Sequence, residues 1–292
     1  MKKMQSNLVT LKAGLLTLTV GLLMTGCKKA TIDTNDQQQQ ETSGATAHTE
    51  AINSTFSVNW NGYADGVYTS SQAAADFGNI SGWNDSRTWI SNGSCRIKLL
   101  ANALSGAGGV IGNIDISDGS AYELDYDVRF HSQFDFSRGG KIGFGFLVGD
   151  GNTGGDPGWD GNGGSLRLMW YQTDAGRVFF QPYIYYKDQP GEYGDTFGKS
   201  YPSGGSLNKA QTYHVHMYIK SNTGSNTDGR AEIVIDGTTV LDQAIRWTTN
   251  DSKRLIKQLS FHTFRGGSQT YWQSSTDGYI YYDNLSVHKI SS

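Results

Sequence analysis

Apolar and polar residues alternate with a period of two along much of the chain. From Ala121 to His131, Tyr122, Leu124, Tyr126, Val128 and Phe130 interleave with Glu123, Asp125, Asp127, Arg129 and His131. Successive side chains of a strand point to opposite faces, so this stretch predicts a strand with one buried and one wet side. Ala231 to Leu241 reads as a hairpin that turns at Ile235-Asp236-Gly237-Thr238, and Gly278 to Val287 reads as a closing strand. Helical periodicity is nearly absent, and clusters of Gly, Asp, Asn and Ser separate the alternating stretches. The pattern predicts an all-β antiparallel β-sandwich, as one domain over 54–292.

Three consecutive stretches are the most informative. In the first, Lys141, Gly143 and Gly145 share a face opposite Ile142, Phe144 and Phe146. In the second, Ser165, Arg167, Met169 and Tyr171 oppose Leu166, Leu168 and Trp170. In the third, Gln181, Tyr183, Tyr185 and Lys187 oppose Phe180, Ile184 and Tyr186. If the three strands are neighbours, their polar faces form one surface rich in cations and phenols, with Gly143 and Gly145 as the floor of a groove. A solvated outer sheet face is the plain alternative. Such a face usually carries Thr, Lys, Glu and Ser, whereas this one has almost no acids.

The N-terminus adds an address. Met1-Lys2-Lys3, an apolar run from Leu8 to Leu23, then Met24-Thr25-Gly26-Cys27 form a lipoprotein signal peptide over 1–26. The apolar core is too short for a membrane span. Cleavage before Cys27 and acylation of its thiol predict an anchored protein at the bacterial outer membrane, on the periplasmic or cell-surface side. Residues 27–53 then form a polar tether that includes Gln37 to Gln40 and cannot build a core. The remaining cysteine, Cys95, is expected to be buried in a strand. With a net charge of -3 and a pI near 6.0, nothing suggests nucleic acid, and a polyanion would need a local basic site.

Cations and phenols without carboxylates suit the β-elimination of a polymeric uronate. The carboxylate must be neutralised, a base must take the C5 proton, and an acid must protonate the departing O4. An Arg fork matches a carboxylate, and Tyr serves as base or acid, with a phenol value that Lys141 and Arg167 would lower if close. Glycoside hydrolysis needs two carboxylates across a cleft. Glu123, Asp125 and Asp127 are the only set in view for that, and they are expected to face solvent.

The stretches Gly139 to Phe146, Gly164 to Trp170 and Tyr183-Ile184-Tyr185 resemble polysaccharide lyase family 14, as do Phe261 to Ser268 and Asp277 to Asn284. The resemblance covers roughly Asp125 to Val287. It implies a β-jelly-roll lyase of alginate or glucuronan that works without a cofactor on an acidic polysaccharide, as a monomer. It also implies Lys141, Ser165, Arg167, Tyr183 and Tyr185 as catalytic residues, and leaves open which tyrosine does which task. Gln181, Lys187, His214, His216, His262 and Arg265 are the candidate substrate contacts. No metal site is expected, because His214 and His216 share a face without a third ligand. Gly149 to Gly164 is read as a mobile rim or lid. A non-catalytic lectin and a hydrolase on the same fold remain as alternatives.

Overall fold

Alternation becomes register in the computed structural model, which describes residues 55–292. The expected signal peptide, Cys27 and the tether lie outside the described residues. The elements run β1 (Thr55–Val58), β2 (Gly66–Val67), α1 (Ser70–Phe77), β3 (Ile80–Ser81), β4 (Thr88–Ser91), β5 (Ser94–Leu99) and α2 (Ser105–Gly108). They continue with β6 (Val110–Gly119), β7 (Ala121–Phe130), β8 (Gly139–Gly149), β9 (Gly163–Gln172) and β10 (Val178–Tyr185). The last are β11 (Thr212–Lys220), β12 (Gly229–Ile235), β13 (Thr238–Ile245), β14 (Ile256–Arg265) and β15 (Gly278–Ser291).

Two antiparallel sheets pack face to face as a jelly-roll sandwich. The back sheet has the order β13-β12-β11-β7-β15-β5-β4-β2, with β1 also paired to β15. The front sheet runs β10-β9-β8-β14-β6-β3. The three informative stretches are therefore adjacent, and β14 joins them from far along the chain.

The apolar halves of the alternating strands make the core. Tyr126 of β7, Phe144 of β8, Phe261 of β14 and Tyr282 of β15 are buried and mutually packed, with the Phe144 and Phe261 rings 4.5 Å apart. Each such side chain contributes about 1.5–3 kcal/mol through area removed from water. Truncating Phe144 to Ala would cost roughly 3–5 kcal/mol. Cys95 is buried in β5, as expected. The hairpin between β12 and β13 turns at Asp236 and Gly237, both at positive φ.

Two features depart from expectation. Helix α1 forms where none was predicted. Its signal was legible: Thr69 and Gln72 make a reciprocal capping box, and Ala73 and Phe77 bury one face. Gly143 also does not floor the groove. It lies at φ +73 where the register of β8 against β9 shifts, and a Cβ there would strike the buried Tyr126 ring at 2.7 Å, on the core side. Gly145 lies on the Arg167 side, where a Cβ would come 2.3 Å from the Leu166 carbonyl oxygen and 3.3 Å from Arg167 Cα and Cγ.

Candidate active site

Register gathers the predicted cluster on the outer face of the front sheet. Lys141 stands opposite Met169 of β9 and Phe264 of β14. Arg167 stands opposite Tyr183, and Ser165 opposite Tyr185. The Lys141 ammonium sits 3.6 Å from the centre of the Tyr183 ring. The Arg167 guanidinium lies 5.5 Å from Tyr183 and 5.3 Å from Tyr185. Gln181 joins the same face and donates its amide to the Met169 sulfur at 3.2 Å.

Arg167 is 4% exposed, and its Nε and Nη2 are buried without a hydrogen-bond partner among the described residues. Its Nη1 meets His262 Nδ1 at 3.5 Å, and the other His262 nitrogen meets Asn113 Oδ1 at 3.1 Å. That amide oxygen can only accept, so Nε2 carries the proton and Nδ1 accepts from the guanidinium. No carboxylate pairs with Lys141 or Arg167 among the described residues. Both basic groups are therefore desolvated without an acid to compensate them, an arrangement that a folded chain tolerates chiefly where a ligand will supply the charge.

Burial sets the protonation states. It holds the Lys141 amine well below the usual lysine value, with Arg167 adding to the effect. Arg167 is pushed down to about 10 by desolvation and stays charged at neutral pH. Burial, then repulsion from Arg167 and Lys141, brings His262 to about 3, so its ring is neutral. Burial, with Tyr185 beside it, raises Tyr183 above the usual phenol value. The expectation that nearby cations lower this phenol is thus overturned, because desolvation of the phenolate outweighs their attraction.

The two tyrosines are not equivalent. Tyr185 is fully buried, and its hydroxyl accepts the Gly155 N–H at 3.1 Å. Tyr183 keeps partial exposure at the mouth of the groove. Ser165 is also fully buried, and its hydroxyl donates to the Asn152 carbonyl at 2.9 Å. Ser165 and Tyr185 thus fasten the 150–160 loop over the end of the cluster rather than opening into the groove.

Four expected substrate contacts fall elsewhere or play another part. His214 and His216 lie on β11, on the outer face of the back sheet, where His214 meets Asp127 at 2.9 Å and His216 meets Asp125 at 3.0 Å. Those acids face solvent there and so cannot serve a hydrolase across the front groove. Arg265 points inward at the end of β14, donating to the Asp135 carbonyl at 3.1 Å beneath the Phe134 ring. Three residues from His262, it must take the opposite face of the strand. Lys187 follows β10 and donates to the Trp159 carbonyl at the loop. Sequence reasoning missed Asn113 and Phe264, both placed by strand pairing across long separations.

A profile of the family Polysaccharide lyase 14 matches residues 108–285. Among solved structures, the alginate lyase Aly36B is 76% identical, with a TM-score of 0.82 over 82% of this chain and 99% of that one. A substituted Aly36B in complex with an alginate tetrasaccharide matches at 75% identity with the same TM-score and coverage. The PL-14 alginate lyase of Aplysia kurodai shares the fold at 22% identity and a TM-score of 0.64, over 80% of this chain and 98% of that one. No curated protein matches the chain.

Proposed function

The chain belongs to the polysaccharide lyase 14 family, and from that premise we propose that it cuts alginate by β-elimination in the front groove. The observation that carries the mechanism is the buried Arg167 fork with two nitrogens unpaired and no acid beside it among the described residues. A substrate carboxylate supplies the missing charge, and a fork binds its two oxygens together. The neutral His262, held by Asn113, positions the guanidinium without adding a charge. The Asn113 NH₂ has no partner among the described residues and offers a further donor.

Neutralising the carboxylate stabilises the carbanion that develops at C5, and such preorganised charge is usually the largest catalytic term. The depressed value of Lys141 makes its neutral amine the base that takes the C5 proton. The elevated value of Tyr183 keeps its phenol protonated, so it donates to O4 as the C4–O4 bond breaks and the C4=C5 double bond forms. Lys141 is left with an extra proton and Tyr183 as phenolate. Their proximity lets that proton return before the next turnover. Ser165 and Tyr185 act by fixing the loop that borders the site.

The 76%-identical alginate lyase supports alginate as the polymer. The lipobox-like Met24 to Cys27 supports attachment through Cys27 to a bacterial membrane, with the domain on a polar tether. The test is incubation with alginate and with glucuronan while following the ultraviolet absorbance of the new double bond. We expect signal with alginate, and products that carry no added water by mass spectrometry. Products bearing an added water would overturn the elimination, and product from glucuronan alone would overturn the choice of polymer.

A further inference from the structure

The outer face of the back sheet carries a second arrangement of cations and aromatic rings, remote from the reaction groove. One register row crosses four strands: Trp89 of β4 opposite Arg96 of β5, Arg96 opposite Tyr281 of β15, and Tyr281 opposite Arg129 of β7. Tyr279 and His131 flank it on the same face, their rings 6.0 Å apart, and each is partly exposed. The Arg96 guanidinium sits between two rings, 5.4 Å from Trp89 and 5.1 Å from Tyr279. Arg129 lies 4.3 Å from the centre of Tyr281.

Neither guanidinium has a hydrogen bond or an ion pair among the described residues, and Arg96 Nε is buried without a partner. Asp283, two residues along β15 from Tyr281 on the same face, is bound to neither guanidinium; it accepts the Asn284 N–H at 2.8 Å and stands opposite Asp127. Elsewhere on this sheet several charges are matched. Arg230 meets Asp242 at 2.7 Å, Lys98 meets Asp277 at 2.7 Å, and Asp127, the nearest acid along β7 from Arg129, is taken by His214 and Asn284. A purely structural stack contributes about 0.5–1 kcal/mol at an exposed site and gives no reason to leave both guanidinium forks of one row without a polar partner. Stacking on rings holds each fork in one orientation, which lowers the entropy lost when it binds an oxyanion. Arg96 and Arg129 lie two strands apart, about 10 Å at the usual strand spacing. Two oriented carboxylate receptors with aromatic surface between them match a chain of sugar rings that each bear a carboxylate.

We propose that this row is a second polyuronate-binding site, which holds polymer on the face of the sandwich opposite the reaction groove and does not cut it. The ligand class rests on the proposed function. The site itself rests on the row.

The experiment uses the full chain carrying Lys141→Ala and Tyr183→Ala, so that polymer is not degraded, in native gels cast with polymeric alginate or with neutral hydroxyethyl cellulose. We expect retardation by alginate alone, and at least a fivefold weaker apparent affinity when Arg96→Gln and Arg129→Gln are added. Tyr281→Ala, which keeps both charges, should weaken retention by a smaller factor. In the otherwise unsubstituted chain, Arg96→Gln with Arg129→Gln should leave cleavage of short alginate oligomers within twofold, which also reports correct folding. Unchanged retention after loss of both arginines overturns the proposal, as does equal retardation by the neutral polymer. If the parent chain forms no unsaturated product from any polyuronate, the proposed function fails, while retention on alginate still reads the second site.

Discussion

Replacing Arg167 with Met should stabilise the fold while it disables the chemistry. The guanidinium is 4% exposed, two of its nitrogens are buried without a partner among the described residues, and the Lys141 amine beside it offers no compensating negative charge. Met keeps most of the aliphatic stem and removes the desolvated charge. Exchanging buried ions for apolar residues of similar volume is often neutral or stabilising by about 1–4 kcal/mol. A gain of about 1–3 kcal/mol here, at about 2–4 °C per kcal/mol for a domain of this size, predicts a Tm higher by about 2–12 °C. Turnover should fall at least about 10²–10³-fold, the usual loss when one preorganised donor to developing charge is removed. Arg167 also depresses the Lys141 value, so the acid limb of any residual activity should move to higher pH. Thermal melts in the absence of substrate and initial rates of double-bond formation read the two effects separately. A variant that melts below the parent would refute the reasoning, because the guanidinium would then be holding the fold rather than waiting for an anion.

Other outcomes follow from the same geometry. The base must be neutral and the acid protonated, so kcat/KM should rise as pH climbs through the depressed Lys141 value and hold until the elevated Tyr183 value is passed; a profile that falls between pH 8 and 10 contradicts that assignment. Tyr183→Phe should lower kcat by about 10²–10⁴-fold with little change in KM, measured by initial rates across alginate concentrations. His262 sits at about 3 in the fold against 6.5 in the open chain, so the unfolded chain binds the extra proton between those values, and stability is lost as pH falls through that window, by roughly 5 kcal/mol at its limit. Urea unfolding at pH 4 and pH 7 should therefore show a smaller loss for His262→Gln than for the parent. Ser165→Ala removes the hydrogen bond to Asn152 and should cost about 1 kcal/mol of stability and raise KM more than it lowers kcat, as expected of a loop fastener rather than a reacting group.

Period two tells which residues share a face of a strand, but not which sheet the strand enters. Within β8, β9 and β10 the alternation was enough, because strands consecutive in sequence are most often neighbours in a sheet, and Lys141, Arg167 and Tyr183 did converge. His214 and His216 show the limit. Their strand has the same two-faced pattern, yet it pairs with β7 in the other sheet, where Asp125 and Asp127 stand directly opposite them. Asn113 lay beyond reach for the same reason, since β6 meets the site only through β14, across more than a hundred residues of chain. Arg265 is a different case, because its three-residue offset from His262 already placed the two on opposite faces. The Gly143 irregularity was invisible because a bulge breaks the period it would be read from. What the groove asks of the fold is a desolvated row of cations with no acids beside them, and that was legible as an absence before any contact was known. A solvated sheet face has no reason to exclude carboxylates, whereas a site that binds a polyanion must exclude them, since each resident acid would compete for the same forks and return Arg167 and Lys141 to ordinary, satisfied ion pairs.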